Sequence, residues 1–220
     1  MPVTLDPRWP KERLARVGMD ISYAWLTFNH LPLPDRVFFD RKAANDARRA
    51  EDPHSKYMMA PEWLGVYQRA RDPDGWNAIA VDIASCHTES RLRPTGGEAF
   101  WQAPGSYMDF TPLGVFCHEV GHHVDYVLHP KAYSRQNGFE EVVDNEEEIS
   151  TVEANVPESF AEAIRLFVTN PDLLRLGRPE RYEYLTRGMG LKPLHGHGWR
   201  RVLRNAGKRV NAAVEKWLAL

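Results

Sequence analysis

The sequence predicts an α+β fold, mostly helical, with a small mixed β-sheet packed against one central helix. Three observations carry that reading. Apolar residues recur at i, i+3, i+4 and i+7 spacing over several segments, the pattern of helices that bury one stripe. One segment, Trp76 to Ser85, alternates instead, as a strand does. Prolines, often paired with Asp or Asn, fall between these segments, where they end helices. At 220 residues the chain has the length of one domain, 1–220, with enough mass to bury a substantial core.

Taken in order, Lys11 to His30 places Leu14, Val17, Ile21, Ala24, Trp25 and Phe28 on one helical stripe, and Leu31-Pro32-Leu33-Pro34 ends it. Arg36 to Asp40 reads as a short strand, and the Ala- and Arg-rich run Lys42 to Glu51 as an exposed helix closed by Asp52-Pro53. Glu62 to Arg71 is too brief to assign to strand or helix. Asp72-Pro73-Asp74-Gly75 is a turn by its chemistry. In Trp76 to Ser85, Ile79, Val81 and Ile83 share one face, and Ala78 to Ala84 is the expected edge on which an extended peptide pairs its backbone. Arg91 to Ser106, interrupted by prolines and glycines, reads as loop.

Thr111-Pro112 is a helix start, a capping hydroxyl followed by a first-turn proline. Leu113, Phe116, Val120, Val124 and Leu128 form the stripe of that helix, and Pro130 stops it. The acidic stretch Lys131 to Asn155 is expected to be solvated. Pro157 to Thr169 is helical and ends at Asn170-Pro171. Two more helices are expected, around Arg181 to Arg187 and from Trp199 to Leu218, the last one amphipathic and packed on the core.

Hydrophobic residues make up 43% of the chain and charged ones 26%, as in globular proteins that fold in water. A net charge of −2 gives no electrostatic basis for binding nucleic acid or an anionic membrane. No apolar run reaches the length of a membrane span, roughly 18 residues or more. The charged, Pro-interrupted stretch Met1 to Gly18 does not read as a signal peptide. With only Cys86 and Cys117, no disulfide framework is expected. The expected location is cytoplasmic, or outside after release without a cleaved signal peptide.

The chemistry is concentrated in His118-Glu119-Val120-Gly121-His122. On a helix, positions i and i+4 share a face, so two imidazoles one turn apart can hold one zinc ion at roughly 2.0–2.1 Å each. Glu119, about 100° around the axis, reaches a reacting water without displacing either ligand, as a general base must. Catalytic zinc takes three protein ligands. Glu158 is the leading candidate for the third, with Glu162 one turn on positioned to accept the far N–H of a ligand histidine. Asp125, three residues beyond His122, is the alternative third ligand. Cys117 reads as core, and Cys86-His87 and His195-Gly196-His197 have no assigned role.

His118-Glu119-Val120-Gly121-His122-His123-Val124-Asp125, followed some 40 residues later by Glu158-Ser159-Phe160-Ala161-Glu162-Ala163, resembles the gluzincin metallopeptidases. Within them it is most similar to the toxin-like peptidases typified by the catalytic domain of anthrax lethal factor. The resemblance implies a zincin-like fold and a zinc-dependent endopeptidase acting on a peptide or protein substrate. It implies His118, His122 and Glu158 as zinc ligands, Glu119 as general base, and Glu162 as partner of a ligand histidine. In that group a tyrosine shortly before the third ligand assists the reaction. Thr151 to Pro157 contains none, which leaves Tyr107, Tyr133, Tyr182, Tyr184, His195 and His197 as candidates for that role. The competing expectation is a zinc-stabilised binding or structural module that does not cut. A further one keeps the zinc chemistry but acts on a different amide bond.

Overall fold

The computed structural model describes residues 10–52, 58–69, 76–87, 109–150 and 152–194. Its elements are α1 (Lys11–Phe28), β1 (Arg36–Phe38), α2 (Arg41–Glu51), β2 (Gly65–Gln68), β3 (Ala78–Val81), α3 (Pro112–Leu128), a 3-10 turn (Tyr133–Arg135), α4 (Phe139–Asn145), α5 (Val156–Thr169), α6 (Pro171–Gly177), α7 (Pro179–Glu183) and a π turn (Tyr184–Gly188). The architecture is α+β, with a small mixed sheet, as the sequence predicts. Among the described residues no helix is long and apolar enough to cross a membrane. The Asp72–Gly75 turn, the loop at 91–106, Tyr107, His195, His197 and the helix expected from Trp199 lie outside the described residues.

Helix α3 is central. The Thr111 hydroxyl accepts the Gly114 N–H at 3.3 Å and Pro112 in the first turn has no N–H, so two of the orphan donors of the helix start are accounted for. One face of α3 packs on α1 and another on α5, while β2 and β3 lie across its remaining side. Leu113, Phe116, Val120 and Val124 are buried between them, together with Trp25 of α1 and Phe160 of α5. Fully burying each such aliphatic or phenylalanine side chain is worth about 1.5–3 kcal/mol, so this contact contributes substantially to stability.

The strand order is β1-β3-β2, with β1 parallel and β2 antiparallel to β3. This corrects the expectation for Ala78 to Ala84. That strand is central, hydrogen-bonded on both sides, and has no free edge for a peptide. Regular pairing also stops at Val81, because Ser85 N–H turns back to the Asp82 carbonyl at 3.0 Å. Ala78 to Val81 are all fully buried, so both faces are covered, Ala80 by Ala44 and Met59. Small alanines had made one face look neutral. The stretch left open between strand and helix becomes β2, an edge strand.

Two other expectations are revised. Asn170-Pro171 ends α5 but also starts α6, its side chain accepting the Leu173 N–H at 3.2 Å. The acidic stretch before α5 is only partly solvated. Glu140 and Glu141 are exposed, but Glu146 and Glu153 turn inward to Arg181, whose side chain is fully buried. Arg181 donates to Glu153 Oε2 at 2.7 Å, and Glu153 accepts the amides of Ile149 and Ser150. Arg178 adds bonds to the Glu147 and Glu148 carbonyls at 2.6 and 2.7 Å. The loop that leads into α5 is therefore clasped by the start of α7.

Candidate metal centre

The site forms where α3 and α5 cross. Gly121, between the two motif histidines, meets the backbone of Ala161, between Glu158 and Glu162. A Cβ at Gly121 would lie 2.5 Å from Ala161 Cα and 2.8 Å from its carbonyl oxygen. Only glycine permits that approach, and it brings the histidines of one helix to the carboxylates of the other.

At the start of α5, the Asn155 side chain accepts the Glu158 N–H and Pro157 sits in the first turn. Glu158 therefore stands at the positive end of the helix dipole, a favourable place for a carboxylate. Its Oε2 lies 3.1 Å from His118 Nε2 and 3.3 Å from His122 Nε2. The three donor atoms all fall within 4.8 Å of one another. Neighbouring ligands on a tetrahedral centre with 2.0–2.1 Å bonds are separated by about 3.3 Å, so the two histidine–Glu158 separations are close to what such an ion needs. Two imidazole nitrogens and a carboxylate oxygen are also a donor set that zinc accepts.

Behind the donors runs a hydrogen-bonded chain. Glu162 Oε1 is 2.7 Å from His118 Nδ1, and Arg165 holds Glu162 through bonds of 3.0 and 2.9 Å to its two oxygens. Glu162 and Arg165 are almost fully buried, and each neutralises the other. This partner fixes the His118 ring so that Nε2 faces Glu158 and the cleft. Burial works against the charged imidazole of His118, yet the Glu158 and Glu162 carboxylates hold its pKa up at about 10. Burial likewise opposes ionisation of both glutamates. The two histidines hold Glu158 well below the usual carboxylate range, and Arg165 with His118 does the same for Glu162.

The donors open onto a cleft of about 590 Å³. Glu119 lines it beside the histidines, and burial raises its pKa against the opposing pull of His122 and His118. Strand β2 forms the facing wall. Gly65 passes directly over Glu119, where a Cβ would lie 2.6 Å from Oε1, and the Tyr67 backbone N–H donates to the carboxylate. A glycine and a backbone amide thus set where the base stands. Trp63, Val66, Tyr67, Phe110 and Tyr126 add apolar wall, and Ser150 and Val152 bring the clasped loop to the same cleft.

Asp125, the alternative third ligand, is not among these donors. It is fully buried and accepts from Ser134 N and Oγ at 2.7 and 3.0 Å, which ties α3 to the 3-10 turn. Cys117 is buried against Ser22 of α1, as expected for core. His87 packs on Phe110 and does not line the cleft. Neither do Tyr133, Tyr182 or Tyr184. The last donates its hydroxyl to the Asn137 carbonyl. Tyr67 and Tyr126, which do line the cleft, were not among the expected tyrosines. A signal for Tyr126 existed: it follows His122 by four residues, on the same helix face. Compared with known protein families, curated proteins and solved structures, the chain matches none.

Proposed function

We propose that this chain is a zinc-dependent metallopeptidase with a zincin-like fold of the gluzincin kind, cutting peptide or protein substrates within the chain. The observation that supports the reading is the convergence of donor atoms of His118, His122 and Glu158 within 4.8 Å of one another, with Glu119 beside them on one cleft. His118, His122 and Glu158 hold the metal, and zinc, when bound, supplies Lewis acidity toward water and the scissile carbonyl. Glu119 takes a proton from the attacking water at its carboxylate and passes it to the leaving nitrogen. Its buried position suits that work, since a raised pKa brings a carboxylate closer to the pH at which it must both accept and return a proton. Glu162 keeps the His118 Nδ1–H engaged, so Nε2 alone faces the cleft. The edge strand β2, rather than β3, stands beside the reacting groups, and apolar residues line the cleft around them.

The test is elemental analysis together with turnover of labelled casein. Wild-type protein should hold one zinc per chain and cleave. Glu119→Gln should keep the zinc and lose turnover by at least about 100-fold, the size of a general-base contribution. Cleavage by Glu119→Gln at the wild-type rate sinks the mechanism. Zinc uptake without any cleavage by the wild type favours a zinc-stabilised binding module instead.

A further inference from the structure

Addition of water to a carbonyl leaves negative charge on oxygen, and a preorganised donor aimed at that oxygen is among the largest contributions a site can make. We propose that the hydroxyl of Tyr126 is this donor, an inference that rests on the peptidase reading above.

Tyr126 lines the same cleft as His118, His122 and Glu119. It sits one turn beyond His122 on α3, so Glu119 and Tyr126 bracket His122 along the helix. Side chains on a helix lean toward its N-terminus. The rise from His122 to Tyr126 is about 6 Å, a length that a tyrosine side chain leaning toward the helix N-terminus spans. The ring has two neighbours from the segment of β2 and the residue after it. It stacks on Tyr67 with centroids 5.9 Å apart and planes 15° from parallel. The Arg69 guanidinium carbon lies 5.6 Å from its centroid, and Arg69 is itself anchored to the Pro130 carbonyl at 2.6 Å. These two contacts restrict the ring before substrate arrives.

The two cleft tyrosines differ in what their hydroxyls do. That of Tyr67 is spent on Asn77 Oδ1 at 2.9 Å. That of Tyr126 makes no hydrogen bond among the described residues, on a half-buried side chain facing the cleft. In the reaction the water oxygen bonds to the carbonyl carbon and the C=O π pair moves onto oxygen. Tyr126 Oη–H donates to that oxygen and keeps its proton. When the pair returns, the C–N bond breaks and nitrogen takes the proton held by Glu119.

Tyr126→Phe keeps the stack and removes only the donor. With casein and zinc-loaded protein, kcat should fall by about 100-fold while KM and zinc content stay within about twofold. A second readout does not use turnover. A phosphinic peptide built on the casein bond that the wild type cleaves carries a tetrahedral oxyanion. Tyr126→Phe should bind it at least about tenfold more weakly by calorimetry, yet bind the uncleaved peptide normally in a Glu119→Gln background. Tyr182→Phe, away from the cleft, should behave as wild type in both. Unchanged kcat and analogue affinity in Tyr126→Phe overturns this role alone. Loss of uncleaved-peptide binding in parallel with analogue binding also overturns it, since Tyr126 would then be a general contact. A wild-type protein that holds zinc and cleaves nothing overturns the peptidase reading, and this role with it.

Discussion

Replacing Gly121 by alanine is expected to damage the metal centre through the helix contact, with no donor atom removed. The new methyl carbon would stand 2.5 Å from Ala161 Cα, 2.8 Å from Ala161 O and 3.0 Å from Ala161 Cβ. Carbon atoms in a core prefer roughly 3.5–4.0 Å, so α3 and α5 must separate by about 1 Å. Overpacking of this kind costs about 1–3 kcal/mol, which lowers Tm by about 2–12 °C in a domain of this size. The effect on metal should be larger. Ala161 lies between Glu158 and Glu162, so the separation carries both carboxylates away from His118 and His122. Metal–ligand distances tolerate only about ±0.2 Å, and loss of a supporting partner alone costs about 10–100-fold in affinity. Gly121→Ala should therefore bind zinc at least about 100-fold more weakly, read by competition with a chromophoric chelator. Its melting temperature should respond little to zinc that stabilises the wild type. Gly18→Ala is the control. Its methyl would approach Leu113 Cα at 3.0 Å, in the α1–α3 contact, so it should lose stability while keeping its zinc affinity. If Gly121→Ala binds zinc within about threefold of wild type, the crossing does not set the donor geometry and the reasoning fails.

Two further outcomes follow from the charges around this crossing. In metal-free protein the His118 pKa lies at about 10, above the ordinary histidine value, so the ring is protonated at neutral pH and must lose a proton before Nε2 can bind a metal. Zinc uptake should thus release about one proton near pH 7, and affinity should rise about tenfold per pH unit from pH 6 to pH 9; calorimetry in buffers of different ionisation enthalpy measures both, and pH-independent binding would refute it. Arg181→Met should leave the Glu153 carboxylate buried without its cation, destabilising the fold by about 3–5 kcal/mol in urea titrations, and adding Glu153→Gln should restore part of the loss. A loss below about 1 kcal/mol would mean the pair is not a structural clasp.

Much of this site could be read along the chain because its parts are local. His118, Glu119 and His122 are one turn of one helix, and Thr111, Pro112 and Pro130 mark where that helix begins and ends. Glu158 and Glu162 are likewise one turn of α5, announced by Asn155 and Pro157. Periodicity and capping are enough to put each pair on a face. What joins the pairs is less visible. Gly121 in the motif carries no donor and reads only as a weak helix former, although its missing Cβ is what lets α3 meet Ala161. Gly65 is equally silent in sequence, since its close pass over Glu119 depends on a strand paired to a segment farther along the chain.

The same distinction explains the errors. Ala78 to Val81 lies in the clearest strand pattern of the chain, and the expected peptide-pairing edge, Ala78 to Ala84, falls on it. Strength of pattern reports burial, and burial is greatest in the middle of a sheet, so the strand that reads most clearly is the least available to a peptide. The weaker stretch Gly65 to Gln68 is ambiguous because one side of it faces a cleft instead of a core, and that is what places it beside Glu119. Glu153 and Arg181 mislead in a similar way. Each looks like a surface charge in its own segment, and only their meeting across 28 residues makes burial tolerable. Residues that act on substrate are legible here where one helix turn holds them. Residues that aim those groups act across elements, and their identity follows from the packing of α3 against α5 and β2.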